Sequence, residues 1–444
     1  MDIIFIVDDL QSEHLGIMAI SAVLKKAGYN ICLAGTQYSS LRNMLLGKTG
    51  LTVLAYSVTT FSVDRCLKLN QKIKSEFNVF SVFGGPHPTF FPEMINFPRV
   101  DGICMGEGEW SFLELLDNMK QGKPIHGIEN WWIKEDDRIH KNPMRPHIDN
   151  LDSLPFPDRG LFRLGNDVSA ISVSASRGCL FNCSYCCEKK SAFYWRSVDN
   201  VITELKEVIS EKDVKFVYFV DSTFNFSPKW LKDFSDRYRK EIGIPFFCFI
   251  RADLIDEDIV KCLEEAGCEI VSMSIETAND YLRNDILNKG LSREDILRAA
   301  GIIKRSRIKL RITNMVGIPM GTLDDDIDTL KLNIKCSPDY VRVYDFVVYN
   351  GTDINSIIGA KNNRLPEDYR GYYHFYEQMS VREARRVQNL RDIFCIIVRF
   401  PFLVYIVRPL LGLPIRPLFS GLSYLWMLYY HIKSKHKIWD LKTV

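Results

Sequence analysis

Three cysteines that lie close together are the residues of this sequence best suited to chemistry. Cys179, Cys183 and Cys186 are separated by three and then two residues, directly after a strand-like run at Ile171–Ala175. A loop of this length can place three thiolates on one face of a [4Fe–4S] cluster. Three protein ligands leave one iron without a cysteine, so this iron can chelate a further molecule. The spacing therefore predicts an open and reactive iron–sulfur cluster.

Three other interpretations of these cysteines are weaker. A structural zinc site needs four protein ligands, usually in two separated pairs, and only the adjacent Cys187 is available as a fourth. A disulfide is disfavoured because Met1–Asp9 has no feature of a secretory signal peptide, which indicates a reducing compartment. Burial in an apolar core is disfavoured by the polar neighbours Asn182, Ser184 and Glu188–Lys190. Core packing does suit the isolated cysteines Cys32, Cys66, Cys248, Cys262 and Cys336.

Alternating strand-like and helix-like segments follow the cysteines. The predicted strands are Phe216–Val220, Pro245–Ile250, Ile270–Ile275, Leu310–Val316 and Tyr340–Val348, and the predicted helices include Ser292–Arg305 and Leu323–Ile334. Together with the run before the cysteines they make six strands, which predicts a partial (β/α)6 barrel. Barrel chemistry sits at the carboxyl ends of the strands, where Asp221, Arg251 and Glu276 fall. A solvated loop position is the ordinary alternative for each single carboxylate.

The first part of the chain alternates in the same way. Its strand-like runs are Ile3–Val7, Thr52–Ser57, Val79–Phe83 and Val100–Met105. A helical pattern begins at Leu15 and is expected to stop at Gly28. This alternation is typical of a doubly wound parallel sheet, with a Rossmann-like arrangement of strands and helices. Ligands of such sheets bind at the carboxyl ends of the strands.

The loops after these runs are rich in glycine, hydroxyl and turn residues. They contain Leu15 and Gly16, then Ser57 and Thr59, then Gly84, Gly85, His87, Pro88 and Thr89, and finally Gly106, Glu107, Gly108 and Glu109. Glycines let backbone amides approach a ligand closely. The loops therefore indicate that a large ligand binds at this edge, with plain turns as the alternative.

The cysteine loop resembles that of the radical S-adenosylmethionine (SAM) enzymes. The resemblance includes Gly178 before the first cysteine and Tyr185 before the third. It implies that the open iron chelates the amino and carboxylate groups of SAM, with Cys179, Cys183 and Cys186 as metal ligands and catalytic residues. It further implies SAM contacts for Tyr185, Asp221, Arg251, Glu276, Gly317 and Pro319.

Other strand ends are similar to the same family. Ser274–Thr277 resembles a strand end that contacts the nucleoside, and Gly317–Thr322 one that approaches the adenosine. Asn350–Thr352 resembles a segment on the substrate side. Val220–Phe224 departs from the family pattern, because Ser222 stands where the family has a second acidic residue.

The segment from Ile3 to about Lys123 resembles the cobalamin-binding domain that precedes many radical SAM enzymes, and Leu154–Pro157 is similar to the family's connector. The resemblance implies cobalamin as a cofactor, contacted by the glycine-rich loops described above. The familiar cobalamin signature, an Asp and a His two apart with a Gly three further on, is absent. We therefore expect His14 and His87 to line the pocket or shape the loops rather than to bind cobalt.

These features predict an enzyme that makes a 5′-deoxyadenosyl radical, abstracts a hydrogen from its substrate and transfers a methyl group from methylcobalamin to an unactivated carbon. Ring formation or rearrangement without methyl transfer is the alternative within the class. A non-catalytic corrinoid or iron–sulfur electron-transfer protein is the alternative from another class. A tRNA methylthiotransferase would need a second cysteine trio in its first domain and a basic terminal module, and the sequence shows neither. The expected partners are a small-molecule or lipid-like substrate and an electron donor such as flavodoxin or ferredoxin.

The predicted organisation is a cobalamin-binding domain over residues 1–125, a linker over 126–165, a radical SAM barrel over 166–375 and a helical extension over 376–444. The linker contains a predicted hairpin, with Trp131–Ile133 on one side and Asp136–Arg138 at the turn. The formal net charge of +2 disfavours nucleic acid as a partner. We expect a cytoplasmic protein.

The segment from about Arg382 onward is rich in aromatic and aliphatic residues. Its apolar runs are Phe394–Val398, Phe400–Val407 and Leu418–Tyr430, and they are interrupted by Arg399, Pro401, Arg408, Pro409, Pro414 and Arg416. No run reaches the roughly 20 residues that a spanning helix needs. We expect helices that cover the open side of the barrel. The alternative is peripheral membrane contact, with the arginines and Lys433, Lys435 and Lys437 at the headgroups and Trp426, Tyr429 and Tyr430 at the boundary.

Overall fold

The structure is a computed structural model that describes residues 1–135, 138–162, 169–188, 193–349, 351–359 and 372–433. Several residues of the sequence predictions lie outside this range, namely Asp136, Asp137, Lys189, Lys190, Asn350, Lys435 and Lys437. The chain divides into two compact units, with the division after residue 166. Each unit has its own parallel sheet.

The first unit is built on a seven-stranded sheet. Its strands are β1 (Asp2–Val7), β2 (Ile31–Gly35), β3 (Thr52–Ser57), β4 (Phe80–Gly84), β5 (Gly102–Cys104), β6 (Trp131–Glu135) and β7 (Arg138–Lys141), in the order β2-β1-β3-β4-β5-β6-β7. The first five pair in parallel, and β6 and β7 pair antiparallel. The predicted parallel sheet is confirmed, whereas β2 was not among the predicted strands.

Helices cover both faces of this first sheet. They are α1 (Leu15–Lys26), α2 (Tyr38–Leu45), α3 (Val63–Ile73), α4 (Pro86–Phe90) and α5 (Glu109–Gln121). Ile3 and Phe5 of β1 share one core with α1 and α5, and Ile4 and Ile6 share the other with α2 and α3. Because successive side chains of a strand point to opposite faces, a strand that is apolar throughout buries both faces. This is the reason for the continuous apolar run at Ile3–Val7.

The segment predicted as a linker packs on the first unit. Ile133 of β6 pairs with Gly102 of β5, so the predicted hairpin forms the antiparallel edge of the first sheet. Further along, the Asp158 backbone N–H donates to the Met18 carbonyl at 3.0 Å, and the Ser21 hydroxyl donates to the Asp158 carboxylate at 2.6 Å. Sequence alone could not show this, because strand pairing depends on a partner thirty residues away.

The second unit is built on a six-stranded parallel sheet. Its strands are β8 (Ala170–Val173), β11 (Phe216–Phe219), β12 (Phe246–Ile250), β13 (Cys268–Glu276), β14 (Lys309–Val316) and β15 (Tyr340–Asp345), which lie side by side in chain order. Two small antiparallel pairs accompany it, β9 (Ser176–Gly178) with β10 (Phe193–Trp195) and β16 (Val347–Tyr349) with β17 (Tyr372–His374). The six predicted barrel strands are confirmed, and in the described residues the two end strands do not pair with each other.

The helices of the second unit pack on one face of its sheet. They are α6 (Val198–Glu211), α7 (Pro228–Glu241), α8 (Glu257–Ala266), α9 (Arg293–Lys304) and α10 (Leu323–Cys336). A shorter helix, α11 (Asp353–Gly359), does not belong to this layer and shares a core with Ile318 and Phe346. Val217, Met273 and Ile312 belong to the core that this helical layer forms with the sheet. We call the opposite face the inner face. It carries Tyr218, Phe247, Phe249, Ser272, Arg311, Thr313 and Arg342. Along β14, buried residues alternate with half-buried residues on the inner face.

Three helices follow the last strands, α12 (Val381–Arg399), α13 (Val404–Leu410) and α14 (Arg416–Lys433). Phe394 of α12 shares a core with Leu330 of α10 and Val341 of β15. Because Val341 points to the same side as the helical layer, α12 extends that layer and does not cross the inner face. The sequence prediction that the tail covers the open side of the barrel is therefore wrong for α12. No described helix is both long enough and apolar enough to cross a membrane.

Candidate active site

The cysteine loop begins where β9 ends. Gly178 has φ +77°, a backbone conformation that favours glycine, and it turns the chain into Cys179. Cys179, Cys183 and Cys186 are all half-buried, and the Cys186 N–H donates to the Cys183 carbonyl at 3.1 Å. The loop is therefore a tight turn that presents three thiols from within eight consecutive residues.

Ser184 anchors the centre of this loop. Its N–H donates to the Leu287 carbonyl at 2.9 Å, and its hydroxyl donates to the Ile286 carbonyl at 2.6 Å. The Ser184 carbonyl accepts from the Ile354 N–H at 2.8 Å. Two other segments of the barrel thus hold the cysteine loop in place.

The thiols lie on one loop but do not converge on a point. In the part of the chain that the structure describes, no three His, Cys, Asp or Glu side chains are placed to hold a metal ion. Burial raises the pKa of the Cys186 thiol to about 12, although the hydrogen bond from the Glu188 N–H to its sulfur opposes that shift. A metal binds the thiolate, so binding here would release a proton. The donor set, three thiols with no fourth ligand at the required spacing, fits an open [4Fe–4S] cluster.

Asp221 supports the strand that leads into the loop. It is buried, and its carboxylate accepts from the Ser176 hydroxyl at 2.5 Å and from the Ala175 N–H at 3.2 Å. Burial raises its pKa to about 6, although these hydrogen bonds oppose that shift. Sequence predicted a SAM contact for Asp221. In the structure both carboxylate oxygens accept hydrogen bonds from residues of the segment that leads into the cysteine loop.

Glu276, Tyr185 and Lys289 form a buried polar cluster beside the cysteines. Glu276 Oε1 accepts from the Tyr185 hydroxyl at 2.9 Å and from Lys289 Nζ at 2.9 Å. Glu276 Oε2 is buried without a hydrogen-bond partner among the described residues. Because an unsatisfied buried oxygen is costly, Oε2 suits a ligand that brings a hydroxyl or amino donor. Burial and the neighbouring Glu276 carboxylate raise the pKa of Tyr185 well above its usual value.

The backbone at Glu276 is unusual for a strand end. Its φ is +63°, and the pairing of β13 with β14 shifts register between Ser274 and Glu276. A positive φ in a non-glycine residue is strained and clusters at functional sites. The shift directs the Glu276 side chain toward the cysteine loop.

Arg251 holds the cysteine loop from a third direction. Its guanidinium lies 3.5 Å from the centroid of the Phe181 ring, and its Nε donates to Asp253 at 2.8 Å. Its Nη2 donates to the carbonyls of Lys289 and Gly290. Arg251 therefore joins the loop to the turn that carries Lys289.

Gly317 and Pro319 follow β14 at the same edge. The Gly317 N–H donates to the buried Asp326 carboxyl at 3.2 Å, and a side chain at Gly317 would come within 3.1 Å of Val387. Burial raises the pKa of Asp326 to about 8. Pro319 is buried, and Ile318 shares a core with Tyr185. This strand end therefore borders the cysteine loop.

In the first unit, backbone hydrogen bonds join the loops after β3, β4 and β5. The Val58 N–H donates to the Gly84 carbonyl at 2.9 Å, the His87 N–H donates to the Val58 carbonyl at 3.2 Å, and the Gly106 N–H donates to the Thr89 hydroxyl at 3.0 Å. The three loops thus form one edge. Ser57, Thr59, Pro88 and Gly108 lie on the same loops.

Glycine is required at position 85 of this edge. Gly85 has φ +101°, and a Cβ there would come within 2.9 Å of the Val58 carbonyl oxygen. Gly16, near the start of α1, faces open space, since a Cβ there would meet nothing within 4 Å. These positions suit close approach by a large ligand.

The histidines of this edge are not arranged around a common point. His14 Nε2 lies 3.0 Å from the Asp9 carbonyl oxygen, and the His14 ring stacks on Phe162 with centroids 5.5 Å apart. His87 is buried, burial lowers its pKa to about 4, and its Nε2 has no partner among the described residues. The edge therefore offers one neutral imidazole nitrogen to a ligand.

The acidic residues after β5 are turned inward. Glu107 Oε2 accepts from the Ile148 N–H at 2.7 Å, and Glu109 is buried at the start of α5. Sequence predicted cobalamin contacts for both. In the structure Glu107 fastens the segment after β7 to the edge.

Comparison with known proteins agrees with both sites. Residues 173–332 match the Radical SAM superfamily, and residues 1–116 match the B12 binding domain. An uncharacterized methyltransferase of Pyrococcus horikoshii is 31% identical over 338 residues, which span 74% of this chain and 72% of the relative. The chain belongs to the cobalamin-binding radical SAM enzymes.

Two further proteins are similar to this radical SAM enzyme, one in its fold and one in its sequence. The solved structure of the cobalamin-dependent S-adenosylmethionine radical enzyme OxsB, with aqua-cobalamin and S-adenosylmethionine bound, shares its fold with a TM-score of 0.75 at 15% identity. The match covers 97% of this chain and 71% of OxsB. The anaerobic magnesium-protoporphyrin IX monomethyl ester cyclase of Rubrivivax gelatinosus is 24% identical over 345 residues, 73% of this chain and 60% of the cyclase. The predicted enzyme class and its cofactors, a [4Fe–4S] cluster, SAM and cobalamin, are confirmed.

One important residue of the radical SAM site was not predicted from the sequence. Lys289 lies thirteen residues after Glu276 and returns to it as an ion pair, with both side chains buried. The local sequence Asn288-Lys289-Gly290 reads as an ordinary turn. Only the path of the chain after β13 brings the ammonium to the carboxylate.

Proposed function

We propose that this enzyme methylates an unactivated carbon of a small-molecule or lipid-like substrate after abstracting a hydrogen from it. The observation that carries the proposal is the anchored three-thiol loop beside the partnerless Oε2 of Glu276, in a chain whose relative in Pyrococcus horikoshii is named a methyltransferase. When bound, the cluster and SAM supply the hydrogen-abstracting radical, and cobalamin supplies the methyl group.

In this proposal, residues of the second unit bind the cluster and orient SAM. Cys179, Cys183 and Cys186 would hold the cluster as thiolates. Glu276 Oε2 would accept a hydrogen bond from the nucleoside of SAM, while Oε1 stays fixed by Tyr185 and Lys289. The ion pair with Lys289 gives the buried Glu276 carboxylate a counter-charge, and Oε2 has no hydrogen-bond partner among the described residues.

Three further residues position this constellation. Asp221 holds the strand that enters the loop through Ser176, and Arg251 holds the loop itself through Phe181. At the end of β14, Gly317 has no side chain, and this lets the chain pass close to Val387. Pro319 lies on this same strand end, where a SAM contact is proposed.

The carboxyl edge of the first unit would hold cobalamin. Its loops combine the close approach at Gly85, the open space at Gly16 and the neutral nitrogen of His87. Ser57, Thr59, Thr89 and Gly106 would add hydroxyl and amide donors to the edge. Leu15, Gly84, Pro88 and Gly108 would shape the pocket, and Glu107 and Glu109 would brace it.

Product analysis tests the methyl transfer. The protein, with its cluster reconstituted anaerobically and hydroxocobalamin added, is incubated with methyl-labelled SAM and a low-potential donor such as flavodoxin or ferredoxin. Candidate substrates are then assayed by mass spectrometry. Methyl transfer predicts label in the product together with both 5′-deoxyadenosine and S-adenosylhomocysteine. If only 5′-deoxyadenosine accompanies an unlabelled product, the ring-forming alternative is correct, as the name of the Rubrivivax relative would suggest.

A lipid-like substrate is favoured by the C-terminal helices. No Asp or Glu lies between Asp392 and Asp440, a segment that includes Arg399, Arg408 and Arg416. Large apolar side chains are exposed on α13, α14 and the turns around them, among them Phe402, Tyr405, Ile406, Leu418 and Leu425. Cations and exposed aromatic residues without acids are typical of surfaces that meet anionic lipid. We propose peripheral contact with lipid headgroups.

Vesicle flotation tests this contact. The full chain should float with anionic phosphatidylserine vesicles at low salt and less at high salt, because charge attraction is screened. Replacing Tyr405 and Leu425 by serine should reduce flotation several-fold, since both side chains are exposed. The matched control is Phe61→Ser, an exposed aromatic of the first unit. Equal flotation of all variants would contradict lipid contact through the tail.

A further inference from the structure

Three arginines lie together on one side of the first turns of α12. Arg382, Arg385 and Arg386 are spaced i, i+3 and i+4, which makes their side chains neighbours on the helix surface. We call these three residues the arginine face. Arg382 is exposed, and Arg385 and Arg386 are half-buried. Because like charges at this spacing repel one another, the arginine face destabilises the helix unless a negative charge lies against it.

The described residues supply no such charge. In the part of the chain that the structure describes, no carboxylate forms an ion pair with the arginine face. Glu383 lies between these arginines in sequence, but its carboxylate accepts from the Ser380 hydroxyl at 2.6 Å and caps α12. By contrast Arg391, Arg408 and Arg416, which follow in the same tail, each reach a carboxylate. The arginine face therefore differs from the arginines that hold the tail together.

The arginine face borders the segment that packs on the next turns of α12. Asn389 Nδ2 donates to the Leu411 carbonyl at 2.8 Å, and the Asp392 carboxylate accepts from the Ser420 hydroxyl at 2.6 Å. Arg385, Asn389 and Asp392 are spaced i, i+4 and i+7, so they share one side of the helix. This side is covered by α14 and the turn before it, and the arginine face lies one turn earlier.

The turn between α13 and α14 brings exposed apolar residues to the arginine face. Arg386 Nε lies 3.7 Å from the position that a Cβ on Gly412 would take, so its side chain packs on this turn. This Nε is buried without a hydrogen-bond partner among the described residues, which is unfavourable for a residue that serves packing alone. Leu410 and Leu413, on either side of Gly412, are 39% and 43% exposed. Cations and exposed apolar side chains therefore lie side by side here.

We propose that the arginine face binds the phosphate of an anionic phospholipid headgroup, while the leucines around Gly412 contact its acyl chains. Arginine presents paired N–H donors that match the oxygens of a phosphate. Apolar contact and charge attraction together hold a protein at a lipid surface. A soluble phosphate compound would have no use for exposed leucines beside the site. The inference rests on the proposed lipid contact and deepens it, because it names the lipid group that is recognised.

Vesicles of defined composition test the headgroup preference of the full chain with its cluster reconstituted. Flotation is compared on phosphatidylcholine vesicles that contain phosphatidate or phosphatidylserine, at equal surface charge. We expect several-fold tighter binding to phosphatidate, because its terminal phosphate can accept paired hydrogen bonds from arginine. Binding to both should weaken as salt is added. Equal binding to the two anionic vesicles would indicate attraction by charge alone and would overturn the phosphate site.

Variants locate the site. Arg385→Gln and Arg386→Gln should each weaken phosphatidate binding about five-fold, the factor expected for one cation at an anionic surface. Arg386→Lys keeps the charge but loses the paired donors, so it should reduce the preference for phosphatidate over phosphatidylserine. The matched control is Arg239→Gln, an exposed arginine of α7, which should bind like the unchanged protein.

Iron content and thermal melting show whether each variant is folded. Arg382→Gln changes an exposed side chain, so it gives the same test if a half-buried variant does not fold. A competition experiment uses glycerol 3-phosphate as a soluble probe. If this compound displaces the protein from phosphatidate vesicles at an equal phosphate concentration, the site takes a soluble phosphate and the lipid assignment is wrong.

The outcomes separate this inference from the proposed function. Unchanged phosphatidate binding in folded Arg385→Gln and Arg386→Gln would overturn the headgroup site and leave methyl transfer intact. If these variants bind normally while the Tyr405 and Leu425 replacements lose flotation, the tail contacts lipid without this site, and the inference is wrong. If phosphatidate binding behaves as expected but product analysis finds no methyl transfer, the proposed reaction fails and the headgroup site stands.

Discussion

The two parallel sheets of this chain differ in how many of their faces are covered. Helices bury both faces of the first sheet, and β1 is apolar at consecutive positions from Ile3 to Val7. Helices bury only one face of the second sheet, and β14 alternates apolar residues with Lys309, Arg311 and Thr313. Parallel strands are normally apolar on both faces. Period-two polarity in this parallel strand therefore marks a face that the helices do not cover.

The number of covered faces also determines where each sheet can bind a ligand. The first sheet offers a ligand only its carboxyl edge, where the Gly85 and Gly106 loops lie. The second offers its carboxyl edge, with the cysteine loop, and its inner face as well. Variants in the two units should therefore affect different cofactors.

The largest expected effect concerns the cysteines. Cys179→Ala, Cys183→Ala or Cys186→Ala should each abolish cluster assembly and SAM cleavage, because each removes a thiolate ligand. Corrin binding by the first unit should remain. Anaerobic iron and sulfide counts with electron paramagnetic resonance provide the measurement.

Cys187→Ala is the matched control for these variants, since it removes a thiol from the same loop. It should retain the cluster. An intact cluster in Cys183→Ala, or a cluster lost in Cys187→Ala alone, would show that the ligands are assigned to the wrong cysteines.

The second prediction tests the two faces directly. Ile3→Ala and Ile4→Ala point to opposite faces of β1 and are both fully buried, so each should cost about 2–5 kcal/mol in the free energy of unfolding. On β14, Ile312→Ala should cost a similar amount, whereas Thr313→Ala on the inner face should cost less than about 1 kcal/mol. Urea unfolding followed by circular dichroism measures the four values.

Equal losses of unfolding free energy in Ile312→Ala and Thr313→Ala would contradict the difference between the two sheets. They would mean that the inner face is packed as tightly as the helical face. Unequal losses of unfolding free energy in Ile3→Ala and Ile4→Ala would also contradict it. The first sheet would then have one weakly packed face.

The smallest expected effect lies at the edge of the first unit. Gly85→Ala should cost about 1–3 kcal/mol, since it adds a Cβ at positive φ that meets the Val58 carbonyl. It should weaken hydroxocobalamin binding, measured by titration of the corrin spectrum, and leave the cluster content unchanged. Gly47→Ala is the control, because Gly47 has φ +80° but open space around its Cβ position. Equal corrin affinity in both variants would place cobalamin away from this loop.

Much of the fold could be predicted because it is written in local patterns. Thr52–Ser57 was predicted as a strand with the bounds that the structure has. The helical pattern from Leu15 ends before Gly28, which has φ +86°. The six strands of the barrel were all predicted. β2 was not, because its five residues between two turns have no distinct periodicity.

The site could be predicted only in part. The cysteines, Tyr185 and Glu276 could be selected from the sequence, since motif residues sit at strand ends and on a short loop, and their roles as cluster ligands and SAM contacts stay predictions. Asp221 was predicted as a SAM contact, which stays a prediction; the structure adds that its carboxylate accepts hydrogen bonds from Ser176 and Ala175. The direction of a side chain after a strand depends on its neighbours in space, and no spacing in the sequence encodes it.

By itself the sequence predicted an open iron–sulfur cluster and two alternating sheets, because three thiols at fixed spacing and a run of strands and helices are local properties; SAM and cobalamin were implied by its resemblance to a known family. The tertiary structure decided the rest. It paired Lys289 with Glu276, joined the hairpin at Trp131 to the first sheet, and left Arg311 on a face that the helices do not cover. Each of these depends on contacts between segments far apart in the chain, whose energies appear only when the strands are laid side by side.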